Sequence, residues 1–238
     1  MSSVIVIIPT YNEVENLPLI VLAVLEQDPR IEILIVDDNS PDGTGKVADD
    51  LREQTGRVHV LHRPEKAGLG SAYRAGLTKA LELGAEIVIQ MDADFSHPPA
   101  TIQEMLSEIE QHDIVLGSRY VEGITVVNWP LERILISYFA GVSARFVTGL
   151  AITDITGGFR CIRRELLEQI GFEGIHSDGY AFQIEMNYRF EKYGARIKEL
   201  PFFFVDRTLG ESKLSLSIAF EAFWIVWWLR ISDALGRI

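Results

Sequence analysis

Short apolar runs and helix-length amphipathic stretches alternate through the first half of the chain. Runs at 4–8, 31–36, 58–61, 87–91 and 114–116 are rich in β-branched residues and show no polar alternation. That is the pattern of strands buried on both faces. Between them, segments at about 14–27, 43–54, 69–83 and 99–111 have helical spacing. Strand–helix alternation at this period predicts a mostly parallel α/β sheet flanked by helices, joined by right-handed crossovers. After residue 119 the rhythm changes. Apolar residues at 131, 134, 135, 138, 139, 142 and 146 predict a helix over 129–150. A further helix is expected near 178–193 and an extended segment near 195–205. The chain reads as one domain, with 1–118 as one half, 119–217 as the other and 218–238 as a C-terminal aromatic helix.

Ligands of such sheets bind beyond the carboxyl ends of the strands. Four predicted strand ends carry polar groups: Pro9-Thr10-Tyr11-Asn12-Glu13, Asp37-Asp38-Asn39-Ser40, Asp92-Ala93-Asp94 and Gly117-Ser118-Arg119. One such end is explained by a helix cap; four on one edge point to a site. Asp92 and Asp94, one residue apart, suit a hard divalent cation beside a diphosphate, although acidic pairs are also common in turns. Asp38 has two readings, an acceptor for a base or ribose and a helix-start residue ahead of Ser40-Pro41-Asp42-Gly43. Tyr11 and Glu13 would form the facing wall, Tyr11 against a base. Gly68-Leu69-Gly70-Ser71-Ala72 is not a dinucleotide fingerprint; a close-packed helix start is the preferred reading over a phosphate cradle. Arg207 and Lys213 bracket Gly210, a pattern suited to a loop folding over phosphates.

Charge sharpens this picture. The chain has 22 Lys+Arg and 34 Asp+Glu, a net charge of −12. Residues 1–118 hold 8 basic and 20 acidic groups, and residues 119–238 hold 14 of each. The acidic excess therefore sits in the half with the carboxylate-bearing strand ends. It argues against nucleic acid as a partner, since bulk electrostatic binding needs a basic face. Cys161 is the only cysteine, which excludes an intrachain disulfide and a cysteine-based zinc site within one chain. No signal peptide is evident at the N-terminus. The longest apolar tract, 218–229, is interrupted by Glu221. As a helix it covers roughly 18 Å against the ~30 Å of a hydrocarbon core, so no membrane span is expected. Its aromatic residues Phe220, Phe223, Trp224, Trp227 and Trp228 suit either a membrane interface or internal packing.

Taken as an ordered set, PTYNE at 9–13, VDDNSPDGT at 36–44, GLGSAY at 68–73, MDADFSHPP at 91–99, GSRY at 117–120, TDITGGFR at 153–160, GYAFQIEM at 179–186 and FVDRTLGESKL at 204–214 resemble the family 2, GT-A-fold glycosyltransferases. More narrowly, they are similar to the polyprenyl-phosphate (dolichyl-phosphate) mannosyltransferases. The resemblance covers nearly the whole chain. It implies a GT-A fold with C-terminal interfacial helices, and transfer of mannose from GDP-mannose to a polyprenyl or dolichyl phosphate with inversion. Pro9, Tyr11, Glu13, Val36 and Asp38 would line the guanosine pocket, and Asp92, Ala93 and Asp94 would meet the diphosphate. Asp94, with Asp92, would hold Mg²⁺ or Mn²⁺. Ser96 stands where some relatives have a metal-holding glutamine, and its shorter hydroxyl would reach the ion through water. Arg119, Arg133 and Ser137 would receive the acceptor phosphate, while Arg207 and Lys213 would close over the site. Asp178 and Glu185 are candidates for hydroxyl contacts or for structural roles. A peripheral position on the cytoplasmic face of a membrane follows, with room for a separate membrane-anchoring subunit. A transferase for glucose or for a polysaccharide, and an inactive nucleotide-binding scaffold, are the competing readings.

Overall fold

A computed structural model describes residues 3–175, 177–205 and 216–235. The strands are β1 (Val4–Thr10), β2 (Ile31–Asp37), β3 (Val58–His62), β4 (Ile87–Gln90), β5 (Ile114–Ser118), β6 (Val126–Val127), β7 (Arg160–Arg163), β8 (Ile197–Pro201) and β9 (Phe204–Val205). The helices are α1 (Leu17–Leu25), α2 (Thr44–Thr55), α3 (Leu69–Glu82), α4 (Thr101–Glu108), α5 (Leu131–Thr148), α6 (Arg164–Ile170), α7 (Gly179–Lys192) and α8 (Leu216–Ala234). The main sheet has seven strands in the order β3-β2-β1-β4-β7-β5-β8, and β6 pairs with β9 in a small second sheet.

Period-two alternation sends successive residues of β1 to opposite faces. Val4, Val6 and Ile8 pack with α1, α2 and α4 through Ile20, Leu51 and Ile102. Ile5 and Ile7 face the other way, onto a core built with α3, α6 and α7 through Leu77, Leu167 and Phe182. Both faces are covered, which explains the unalternated apolar runs. Gly76 in α3 fits this packing, because a Cβ there would come within 2.7 Å of Ile7 Cγ2.

The predicted strands and helices of the first half are all present. What the pattern did not predict is β7, four residues long and antiparallel to both β4 and β5. RCIR is too short and too polar at its ends to stand out as a strand, and only its neighbours on both sides define it. The inserted strand leaves β5 running in the direction of β4. The carboxyl ends of β1, β2, β4 and β5 therefore share one edge of the sheet, with the segment entering β7 between those of β4 and β5.

Candidate active site

A cleft of about 390 Å³ runs along that edge. Its lining includes Pro9, Tyr11, Glu13 and Asp38 at one end, Asp92, Ala93, Asp94 and Ser96 in the middle, and Arg119 and Arg133 beyond them. Three of the strand ends turn into the cleft through left-handed non-glycine residues, Asn12 (φ 60°), Asn39 (φ 55°) and Phe95 (φ 61°). Such conformations persist where surrounding contacts over-determine them, and they cluster at working sites.

At the β1–β2 end, Glu13 Oε2 accepts a hydrogen bond from Asn16 Nδ2 at 2.9 Å. Its backbone N–H donates to Thr44 Oγ1 at 2.9 Å. Asp38 Oδ1 is paired with Arg63 Nη1 at 2.7 Å, and Arg63 Nη2 donates to Ser71 Oγ at 2.6 Å. Burial pushes the Asp38 carboxyl up, and Arg63 offsets this only in part. The Lys66 ammonium stands 3.7 Å from the centre of the Tyr11 ring. Val36 differs from expectation. Its side chain is fully buried with Ile7, Ala72 and Leu77 and adds no surface to the cleft. It points to the α3 face of the sheet, one residue out of phase with the polar strand end.

In the middle, Tyr73 donates from its hydroxyl to Asp92 Oδ1 at 3.3 Å, and Ser96 N–H donates to Asp94 Oδ1 at 3.1 Å. His97 accepts the Asp92 N–H at Nδ1 (3.0 Å) and stacks on Phe159 at 4.9 Å. Burial lowers its proton affinity, so the ring is neutral and carries its proton on Nε2. Among the described residues no three His, Cys, Asp or Glu side chains cluster as a cation site. Two carboxylates and a hydroxyl nevertheless fit a hard cation completed by substrate phosphates, the usual way Mg²⁺ is held. Ser96 Oγ, buried and without a hydrogen-bond partner among the described residues, is consistent with that fit.

At the far end, Arg119 is only 6% exposed and is locked to Asp154. Its N–H, Nε and Nη2 donate to the Asp154 carboxylate at 3.0, 2.7 and 2.7 Å, and Nη2 also donates to Thr156 Oγ1 at 2.8 Å. Arg133 lies over the Trp129 ring, 3.9 Å from its centre. Ser137, expected beside these arginines, stands one helical turn after Arg133 in α5. It hydrogen-bonds the Tyr120 hydroxyl at 2.9 Å and lines a smaller adjoining pocket of about 50 Å³. Arg133 and Ser137 share a helix face one turn apart, where side chains are neighbours.

Asp178 and Glu185 take structural places. Asp178 accepts the Gly70 N–H at the start of α3, where a carboxylate also complements the helix dipole. Gly68 (φ +91°) passes so close to Asp178 that a Cβ would overlap the carboxylate. The glycine-rich stretch is thus a close-packed helix start. Glu185 is buried between Ser177 Oγ (2.7 Å) and Arg189 Nη2 (2.9 Å). Arg207 and Lys213 lie outside the described residues, as do the side chains of Phe220 and Phe223. Sequence reasoning assigned no role to Arg63, His97, Asp154 or Gln183. Asp154 and His97 stood within quoted motifs, whereas nothing near Arg63 in the sequence signals its pairing with Asp38.

A second surface adjoins the cleft. On α5, Leu135, Ile136, Phe139 and Phe146 are exposed, Phe146 to 89%. α8 packs beside it and exposes Trp224, Trp227, Trp228 and Ile231, while Val226 and Leu229 are buried in the core. Among the described residues no helix is long and apolar enough to cross a membrane.

Comparison with known proteins agrees with this geometry. The glycosyl transferase family 2 profile matches residues 5–171. The chain is 47% identical over 230 residues to the polyprenol monophosphomannose synthase of Mycolicibacterium smegmatis, covering 95% of this chain and 87% of that one. It is 46% identical to the undecaprenyl-phosphate mannosyltransferase of Micrococcus luteus, with 92% and 90% covered. Among solved structures, the glucosyl-3-phosphoglycerate synthase of Mycobacterium tuberculosis with Mn²⁺ and UDP aligns with a TM-score of 0.67 at 16% identity, covering 99% and 80%. A mannosyltransferase of Pyrobaculum calidifontis with GDP-Man and Mn²⁺ aligns at 0.59 and 19% identity, covering 98% and 73%. With a GT-A sheet, a cleft on its carboxyl edge and this degree of identity, the chain belongs to glycosyl transferase family 2.

Proposed function

We propose that this protein transfers mannose from GDP-mannose to a polyprenyl phosphate, giving polyprenyl β-mannosyl phosphate and GDP. One observation carries the reading: a single cleft runs from nucleoside-type acceptors at Glu13 and Asp38, through Asp92 and Asp94, to Arg119 and Arg133. That is the order of base, diphosphate and acceptor phosphate in such a reaction. The names of the two relatives above support the choice of sugar and acceptor.

The acceptor phosphate monoester has a second pKa of about 6 and is largely a dianion at neutral pH. Its oxygen attacks the anomeric carbon, that new C–O bond forms as the bond to the GDP β-phosphate oxygen breaks, and the α-linked donor gives a β-linked product. No protein base is required. Arg119 contributes Nη1, the guanidinium nitrogen that donates to no described residue, since Asp154 and Thr156 take Nε and Nη2. Asp154 compensates its charge, and Arg133 is the second guanidinium lining this end of the cleft. Asp94, Asp92 and Ser96 would hold Mg²⁺ or Mn²⁺, which supplies charge neutralisation for the GDP leaving group. His97 fixes the Asp92 backbone from beneath. Arg207 and Lys213 are assigned to closing the phosphates from above.

The acceptor tail requires a lipid-facing surface. The apolar side chains of α5 and α8 supply one beside Arg133, which α5 itself carries. We assign them to peripheral docking on the cytoplasmic face of a membrane, with or without a separate anchoring subunit.

The test is a panel of radiolabelled nucleotide sugars incubated with a short polyprenyl phosphate and Mn²⁺. Butanol-extractable label from GDP-mannose is expected; none from any donor would sink the reading.

A further inference from the structure

We infer that Gln183, standing over the Gly157-Gly158 pair, reads a hydroxyl of the transferred sugar. The inference rests on the donor and acceptor ends assigned above.

Sheet order supplies the first argument. Asp92 and Asp94 follow β4 and Arg119 follows β5, and between those strands lies only β7. A sugar passing from diphosphate to acceptor must lie over the segment that enters β7, which is Gly157-Gly158. Both glycines line the cleft, as does Gln183. A Cβ on Gly157 would come within 3.2 Å of the Gly117 carbonyl oxygen, and one on Gly158 within 3.0 Å of Gln183 Nε2. Bare backbone and one amide therefore form this part of the floor.

The second argument is the state of that amide. Gln183 is 3% exposed, and its Oε1 is buried with no hydrogen-bond partner among the described residues. Its main chain is held firmly, because the Gln183 carbonyl accepts Arg160 Nη2 at 2.9 Å and Arg160 Nη1 donates to Gln90 Oε1 at 3.3 Å. Buried polar groups left unmatched on a rigid support mark a place where a ligand completes the bonding. The amide atom beside Gly158 is Nε2, and a half-turn of the amide exchanges it with Oε1, so Gln183 can serve a sugar hydroxyl, itself both donor and acceptor, in either sense.

Isothermal titration of the full chain in Mn²⁺, with GDP and with GDP-mannose, tests this. Gln183→Met keeps the length and removes the amide; Gly158→Ala moves the amide without removing it. In both variants GDP should bind within about two-fold of the parent, which also reports a folded cleft. GDP-mannose should weaken about 3- to 10-fold, the worth of one neutral hydrogen bond. Within a series of monodeoxy GDP-mannose donors, one should lose a similar factor against the parent and nothing further against Gln183→Met. Unchanged GDP-mannose affinity in both variants, or full additivity for every deoxy donor, overturns the inference. Should Gln183→Met fail to bind GDP, Gly158→Ala decides alone. A parent protein that binds GDP but gains nothing from the mannose also overturns it, and one that binds neither sinks the donor reading beneath it.

Discussion

Asp154 holds Arg119 through three hydrogen bonds, from its backbone N–H, Nε and Nη2, with the Asp154 carboxylate almost entirely buried. The residues are 35 apart in sequence, and the pair fixes the orientation of the cation at the end of the cleft that the proposed function gives to the acceptor. Asp154→Asn leaves a buried guanidinium without its countercharge. It should cost about 3 kcal/mol, read as a Tm lowered by roughly 6–12 °C for a chain of this size. In steady-state kinetics the acceptor KM should rise with the donor KM unchanged. Burial pushes the Asp154 carboxyl up, but the charge and hydrogen bonds of Arg119 more than reverse this and leave it below the ordinary range. A folded pKa below the unfolded one means the pair stabilises above the unfolded value of about 3.9. That contribution is lost as pH falls through the depressed folded pKa, so Asp154→Asn should flatten the acid limb of the stability curve.

Asp38 titrates in the opposite sense. Burial raises its pKa, with Arg63 and the Ala67 N–H opposing. The folded state therefore holds this proton more tightly than the unfolded chain, and the contribution of the group to stability falls as pH rises between the two pKa values. In the proposed function Asp38 accepts from the nucleoside of GDP in its ionised form. GDP affinity should decline with acid already above the ordinary carboxylate range, in calorimetry between roughly pH 4 and 8. Asp38→Asn should bind about 10-fold more weakly and lose this limb, since one hydrogen bond to a charged group contributes about 1.5 kcal/mol.

Asp94→Asn should abolish turnover and the enhancement of Mn²⁺ binding by GDP seen in paramagnetic relaxation of water. Retained activity would remove Asp94 from the metal role. Ser96→Ala should weaken Mn²⁺ by no more than about 10-fold, as expected for a contact made through water.

Trp224 and Trp228, 59% and 49% exposed, give a direct test of docking. The double variant Trp224→Ala/Trp228→Ala should lose flotation with anionic liposomes while keeping turnover of a short, water-soluble acceptor. Unchanged flotation would remove α8 from the membrane surface.

Gly68 combines backbone strain with crowding, whereas Gly84 is uncrowded. Both have positive φ, +91° and +85°, but a Cβ at Gly84 meets nothing within 4 Å, whereas at Gly68 it meets Asp178. Gly84→Ala should cost about 1 kcal/mol. Gly68→Ala should cost at least about 1 kcal/mol more, because its φ 91°, ψ 161° backbone is open to little but glycine and Asp178 must also give up its bond to the α3 start. Equal melting temperatures would show that neither the backbone at Gly68 nor its Asp178 contact is rigid.

The sequence by itself determined the layers and the edge of the sheet that carries the candidate site. Unalternated runs such as Val4–Thr10 record burial on both faces, and polar residues at four strand ends record where backbone and side chains meet a ligand. Both are local properties, written in consecutive residues. Tertiary structure decided what depends on distant pairing. It inserted β7 between β4 and β5, and so opened the strip occupied by Gly157, Gly158 and Gln183. It joined Arg119 to Asp154 and Asp38 to Arg63, turned Val36 into the core, and set Ser137 against the Tyr120 hydroxyl. The two ion pairs are not encoded in spacing, because each depends on which buried charge finds which partner once the sheet has closed. The acidic half and the neutral half of the chain thus become the two ends of one cleft only through the order of the strands.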